Sequence, residues 1–185
     1  MRESNSFNKN SNELTRNDII RLLYELNDKL SYKNIYSELY LVGGAVMCLS
    51  LDARRSTRDL DGIFEPKAEV YDCVKSVARD NDIDDDWLND AVKGFIDGKS
   101  EFEDFMKLSN LSVKVATPEY LFAMKVQSSR TDRESEINDL KFLIKLLKIK
   151  SIEDAEDIVS KFYSVKLIPN RAWYLLEELV GDEEI

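Results

Sequence analysis

One stretch, LYLVGGAVMCLSLDARRSTRDLDGIF at residues 39 to 64, constrains the fold more than any other part of the chain. It reads as an apolar strand, two glycines, a short apolar helix, three arginines and a second strand that carries Asp59 and Asp61. Successive strand side chains point to opposite faces, so residues i and i+2 share one. Asp59 and Asp61 are therefore expected on a common face, with Leu60 and Ile63 available to a core. Two like charges held side by side repel, and a divalent cation is the most direct way to offset that repulsion.

The flanking sequence supplies elements on both sides. NDIIRLLYELNDKL, residues 17 to 30, keeps helical spacing through Ile19, Leu22, Leu23, Leu26 and Leu30, with Asn17 as N-cap and Asp18 in the first turn. Pro66 ends the second strand, and a helix is expected over 67 to 80 with Val70, Val74 and Val77 on one face. Residues 80 to 105 are acidic and irregular, with a short helix expected at 88 to 96. LSVKVA, 111 to 116, alternates cleanly as a third strand. Thr117 caps a helix that opens on Pro118, and ESEINDLKFLIKLLK follows with Ile137, Leu140, Ile144 and Leu147 as its buried stripe. Ser151 caps a further helix, with acids in its first turn. NRAWYLLEELVG closes the series, with Trp173 and Leu176 expected to be buried. The pattern implies an α/β (α+β) fold with a small mixed sheet flanked by helices and a C-terminal helical bundle. Three segments follow: a flexible N-terminus (1–16), an α/β core (17–116) and a helical region (117–185) packed on that core as one structural unit.

Composition narrows the chemistry. An apolar fraction of 43% is ample for a core, and no apolar run approaches the ~20 residues of a membrane span. The polar start, without the apolar stretch of a signal peptide, points to a cytoplasmic protein. The chain has no histidine, which excludes Ser-His and Cys-His triads and the usual zinc sites. Cys48 and Cys73 fall in apolar helical patterns and read as reduced core thiols. Net charge is −10, and residues 59 to 104 alone account for it, since they hold 15 acids against 5 bases while the rest balances. Strong generic DNA binding is not expected from such a chain. Two basic patches remain: Arg54, Arg55 and Arg58 before the aspartates, and Lys141, Lys145, Lys148 and Lys150 on a later helix, the second reading as a solvated face.

Glycines between a strand and a helix let the backbone approach a phosphate closely, and Gly43 and Gly44 hold that place. Two carboxylates on a neighbouring strand suit Mg²⁺, which takes few protein ligands and completes its shell with water and phosphate oxygens. Together these parts make a phosphoryl- or nucleotidyl-transfer centre.

The order Gly-Gly, spacer, Asp-x-Asp resembles the signature of the DNA polymerase β-like nucleotidyltransferase superfamily. The chain as a whole, from about residue 35 to 181, is similar to a small bacterial branch related to the AbiEii-type proteins of abortive-infection and toxin–antitoxin systems. The further stretches carrying this resemblance are DWLNDAVKGF, VATPEYLFAMKVQSSR, EINDLKFL and FYSVKLIPNRAWYLLEEL. The resemblance implies Mg²⁺ (or Mn²⁺) on Asp59 and Asp61, and an NTP as substrate with its triphosphate at Gly43 and Gly44. Thr57 and Arg58 stand just ahead of the aspartates and join the nucleotide-binding set. Lys125, Arg130 and Asp139 match a downstream Lys…Arg…Asp pattern: Lys125 as a phosphate contact, Arg130 either as a bidentate phosphate ligand or paired with Asp132 or Glu134, Asp139 either orienting Lys125 or serving as a base. Asn89 and Asp90 either line the cleft or cap a short helix. The implied acceptor is a hydroxyl of a protein or of tRNA or another RNA, and the implied partner is a cognate toxin or antitoxin. One departure stands out. The superfamily often carries a third carboxylate on a neighbouring strand as general base, whereas LSVKVA offers only Ser112 and Lys114, leaving Asp90, Glu119 or Asp139 to substitute. The rival expectation is a catalytically degenerate member that binds nucleotide only, or a basic partner protein through its acidic block.

Overall fold

In the computed structural model the described residues are 13–90, 99–128 and 134–181. The chain is a mixed α/β protein and divides into two compact units: Met1–Lys93 with Asp104–Val115, and Gly94–Glu103 with Ala116–Ile185.

The first unit starts with a short strand β1 (Leu14–Thr15) and helix α1 (Arg16–Tyr32). Thr15, not Asn17, is the N-cap. The Asp18 amide donates to the Thr15 hydroxyl at 3.3 Å and the Thr15 amide donates to Asp18 Oδ2 at 3.0 Å, a reciprocal capping box. Asp18 at the third helical position decides the start, because only Thr15 lies three residues before it. The five apolar residues expected inside are all buried. Leu14–Arg16, read from sequence as flexible, are tied down by β1 pairing antiparallel with β3 (Ser56–Thr57) and by the Ser56 hydroxyl donating to Glu13.

Next come strand β2 (Ser37–Val42), helix α2 (Gly43–Leu49), strand β4 (Leu60–Glu65) and helix α3 (Lys67–Asn81). β2 pairs antiparallel with β4 and parallel with β7 (Leu111–Ala116). The five-stranded sheet is completed by β5 (Leu88–Asn89), parallel to β4, and β6 (Phe102–Lys107), in the order β5-β4-β2-β7-β6. Leu88 and Asn89 are thus strand where a helix was expected to begin. The Trp87 indole donates to the Val74 carbonyl at 3.1 Å and the Leu60 amide donates to the Trp87 carbonyl at 2.8 Å, which holds the segment extended against β4. The rest of that expected helix lies outside the described residues.

The register sorts the sheet into two faces. Leu39, Leu41, Leu60, Phe64, Leu88, Leu111, Val113 and Val115 are buried together on one. Phe64 meets the Tyr71 ring of α3 edge-on at 5.1 Å. Ile63, expected in the core, instead shares the other face with Asp61 and is only half-buried. The expectation paired Leu60 with Ile63, but strand period places Leu60 with Phe64.

The second unit holds α4 (Pro118–Ser128), α5 (Glu134–Leu147), α6 (Ile152–Phe162) and α7 (Asn170–Gly181). α4 is buried continuously from Tyr120 to Val126, the mark of a central helix rather than an amphipathic one. Ser151 caps α6 in a second capping box with Asp154. The stripe of α5 runs through Asp139, Leu140, Leu143 and Ile144, with Ile137 and Leu147 at its margins. On α7 Leu176 is buried as expected, but Trp173 is half-exposed and Ala172 takes the inner position. Cys48 and Cys73 are free and buried.

Candidate functional site

The junction of β2, α2 and β4 brings Gly43, Gly44, Thr57 and Asp61 together, with the Asp59 carbonyl bonded to Thr57 in the turn before β4. β2 ends at Val42, whose partner across the ladder is Asp61. The chain turns there through Gly43, which has φ +64°, a conformation costly to any residue with a Cβ. A Cβ on Gly43 would stand 3.2 Å from Asp61 Oδ2, so the carboxylate lies directly against the bare glycine. A Cβ on Gly44 would stand 2.9 Å from the Thr57 hydroxyl and 3.0 Å from Arg54 Nη1. Both glycines are thus explained by what touches them.

Thr57 is buried, and its hydroxyl donates to the Asp59 carbonyl at 3.1 Å. That bond fixes the turn leading from β3 into β4. Asp59 is the residue before Leu60, two positions from Asp61 and half-buried. Arg54 arrives by a different route. The loop after α2 folds back under the helix, with the amides of Ala53 and Arg54 donating to the Met47 carbonyl at 2.8 and 3.4 Å. This returns a guanidinium to the start of α2. The sequence puts Arg58 in the nucleotide-binding set and Arg54 only in a basic patch; in the structure Arg58 is exposed and Arg54 is the arginine against Gly44. No spacing rule marks that loop closure, so the sequence held no signal for it.

Four further residues share the Asp61 face. Asn89 pairs with Asp61 across β5 and β4 and so shares its face; the short helix it was otherwise expected to cap lies outside the described residues. Tyr40, opposite Ile63, donates its hydroxyl to Glu38 at 2.9 Å, and Lys114 lies over its ring at 5.4 Å. Glu38 holds the Tyr40 phenol above its usual pKa, helped by burial. Asp90, by contrast, is engaged by α3. The Tyr71 hydroxyl donates to it at 2.7 Å and Lys67 pairs with it. A carboxylate held by a lysine and a phenol is poorly placed to act as a base.

In the second unit Lys125 is 7% exposed and pairs with Asp139 at 2.6 Å and Glu136 at 2.8 Å. Asp139 is itself buried. Lys125 is therefore not a solvated helix lysine, and of the two roles open to Asp139 the orienting one is the contact present. Arg130 lies outside the described residues. Glu119 stands half-buried in the first turn of α4. Lys141, Lys145, Lys148 and Lys150 are exposed, but only the first two lie on α5, which ends at Leu147.

The donor set limits what cation would fit. Among the described residues no group of three or more acids, cysteines or histidines comes together. Two carboxylates at most would come from this junction, which fits Mg²⁺ or Mn²⁺ sharing its shell with water and phosphate, and does not fit a structural zinc. No described helix is long and apolar enough to cross a membrane. Comparison of the chain with family models, with curated proteins and with solved structures finds no match.

Proposed function

We propose that the chain is a metal-dependent nucleotidyltransferase, moving a nucleoside monophosphate from an NTP onto a hydroxyl of a protein or RNA acceptor with release of pyrophosphate. The observation that carries this reading is the Asp61 carboxylate lying 3.2 Å from the Cβ position of Gly43, where the backbone turns left-handed between β2 and α2. An acid and a bare backbone in contact can share one triphosphate, the acid through a cation and the backbone by close approach. Asp59 and Asp61 would hold Mg²⁺ or Mn²⁺, which when bound supplies Lewis-acid polarisation of the phosphate. Arg54 offers a planar cation for phosphate oxygens, Thr57 fixes the turn that presents Asp59, and Asn89 flanks Asp61. A setting in a toxin–antitoxin or phage-defence pair is drawn from the sequence resemblance alone, and a cytoplasmic one from the polar start of the chain. The test is incorporation of label from an α-labelled NTP into acceptor. The expected result is signal with wild-type protein and its loss in Asp59→Ala/Asp61→Ala. Equal incorporation by the double variant overturns the site.

One observation favours a second reading, a degenerate member that binds nucleotide or a basic partner without transfer. The strand position that would hold a third acid is filled by Lys114, paired with Glu38 at 3.8 Å. Loss of a positioned base costs about 10²- to 10⁴-fold in rate. Under this reading Mg²⁺-dependent nucleotide binding persists while label incorporation is absent.

A further inference from the structure

A groove of about 450 Å³ between α1 and α3 is lined by four cations, Lys29, Lys33, Lys75 and Arg79, against one acid, Asp72, together with Ser76 and the exposed Tyr32. Its volume falls in the range of about 300–1,000 Å³ typical of ligand sites. The buried Cys73 lies in its floor. We propose that this groove binds single-stranded nucleic acid, with a phosphate on Lys75 and Arg79 and a base stacked on Tyr32.

Three observations point to that occupant. Charge comes first. Lys29 is paired with Asp80 at 2.5 Å and Lys33 more loosely with Asp72 at 3.8 Å, but no acid is paired with Lys75 or Arg79 among the described residues. The groove is therefore locally cationic although the segment from 59 to 104 carries a net −10. Second, Tyr32 is 90% exposed, so its ring is not there for packing. Cations beside an exposed aromatic are the combination with which proteins hold single strands without reading their sequence. Third, helix dipoles account for only part of the arrangement. A cation in the last turn of a helix is favourable in itself, which explains Lys29 on α1 and Arg79 on α3. It does not explain Lys75 in the middle of α3 or the exposed ring. An acidic protein partner would satisfy the lysines but leave Tyr32 without a purpose.

The groove is assembled from α1 and α3, apart from Gly43, Asp59 and Asp61, and the inference does not depend on the proposed transfer reaction. The test is fluorescence anisotropy of the full chain with a labelled, unstructured oligonucleotide of about ten residues. Binding that weakens as salt rises is expected, with affinity falling at least about tenfold in Lys75→Glu/Arg79→Glu and about fivefold or more in Tyr32→Ala. All three positions are on the surface, and circular dichroism checks that each variant folds. Asp59→Asn/Asp61→Asn should bind as the wild type does. Unchanged affinity in the charge-reversed variant overturns the proposal, as does lost affinity in the aspartate variant, which would move the strand to the glycine junction. A poly-glutamate peptide bound more tightly than the oligonucleotide would reassign the groove to a protein. A mononucleotide that displaces the labelled oligonucleotide from Asp59→Asn/Asp61→Asn protein as effectively as unlabelled oligonucleotide does would reassign the groove to a free nucleotide.

Discussion

Gly43 is where one atom decides most. Its left-handed backbone costs an alanine about 1–2 kcal/mol, and the new methyl would press on Asp61 Oδ2. Gly43→Ala should therefore lower the urea midpoint modestly and weaken Mg²⁺-dependent nucleotide binding more than its stability loss explains. The two arginines separate cleanly. Arg54→Gln should weaken triphosphate binding, while Arg58→Gln, exposed and away from the glycines, should change it little; titration calorimetry on both variants checks this. The buried thiols carry a pH dependence. Burial pushes the Cys48 and Cys73 thiols up, so the folded chain keeps protons that the unfolded chain gives up. Their contribution is complete below the unfolded thiol value and declines as pH rises past about 8.5. Urea midpoints should fall between about pH 8.5 and 10, and Cys48→Val/Cys73→Val should flatten that slope. At this scale the chain was readable wherever a residue's role is local. Asp61 on β4 follows from strand period, but Asp59, expected on the same strand, stands in the turn just before it, held by the Thr57 hydroxyl. Arg54 was not readable, because its place depends on a loop folding back onto Met47.

Among the elements, those with caps and periodic faces were legible and those made by pairing were not. α3, α4, α5, α6, α7, β2, β4 and β7 carry their own punctuation in Pro66, Thr117, Ser151 and alternating apolar residues. β1, β3 and β5 are two residues each, too short to show any period, and β6 falls largely in a stretch expected to be irregular; each takes its form from the strand beside it. The start of α1 shows how one contact overrides a plausible cap: Asn17 has the right chemistry, but Asp18 reaches back to Thr15. Thr15→Ala should cost about 1 kcal/mol, read as a shift of the denaturation midpoint. The Lys125 ion group ties α4 to α5. Lys125→Met takes a cation away from the buried Asp139 and should cost about 3–5 kcal/mol, whereas Lys125→Met/Asp139→Leu should recover most of that loss. If the double variant is no more stable than the single one, the pair does not act as a buried ion pair.

At the level of the whole chain, the mixed α/β character and the boundary near residue 116 follow from the switch between strand period and helix period. The assignment of Gly94–Glu103 to the second unit does not, because nothing in its composition says which neighbours it joins. The proposed function rests on the junction of β2, α2 and β4 alone, since the remaining acidity is spread over surface positions that many folds tolerate. The account therefore stands on one physical claim, that two neighbouring aspartates beside a left-handed glycine bind a divalent cation bridged by a triphosphate. Thermal-shift titration with each NTP, with and without Mg²⁺, on wild-type protein and Asp61→Asn tests it directly. The account predicts stabilisation by at least one NTP that requires Mg²⁺ and disappears in Asp61→Asn. Stabilisation that is indifferent to Mg²⁺, or that survives intact in Asp61→Asn, contradicts it.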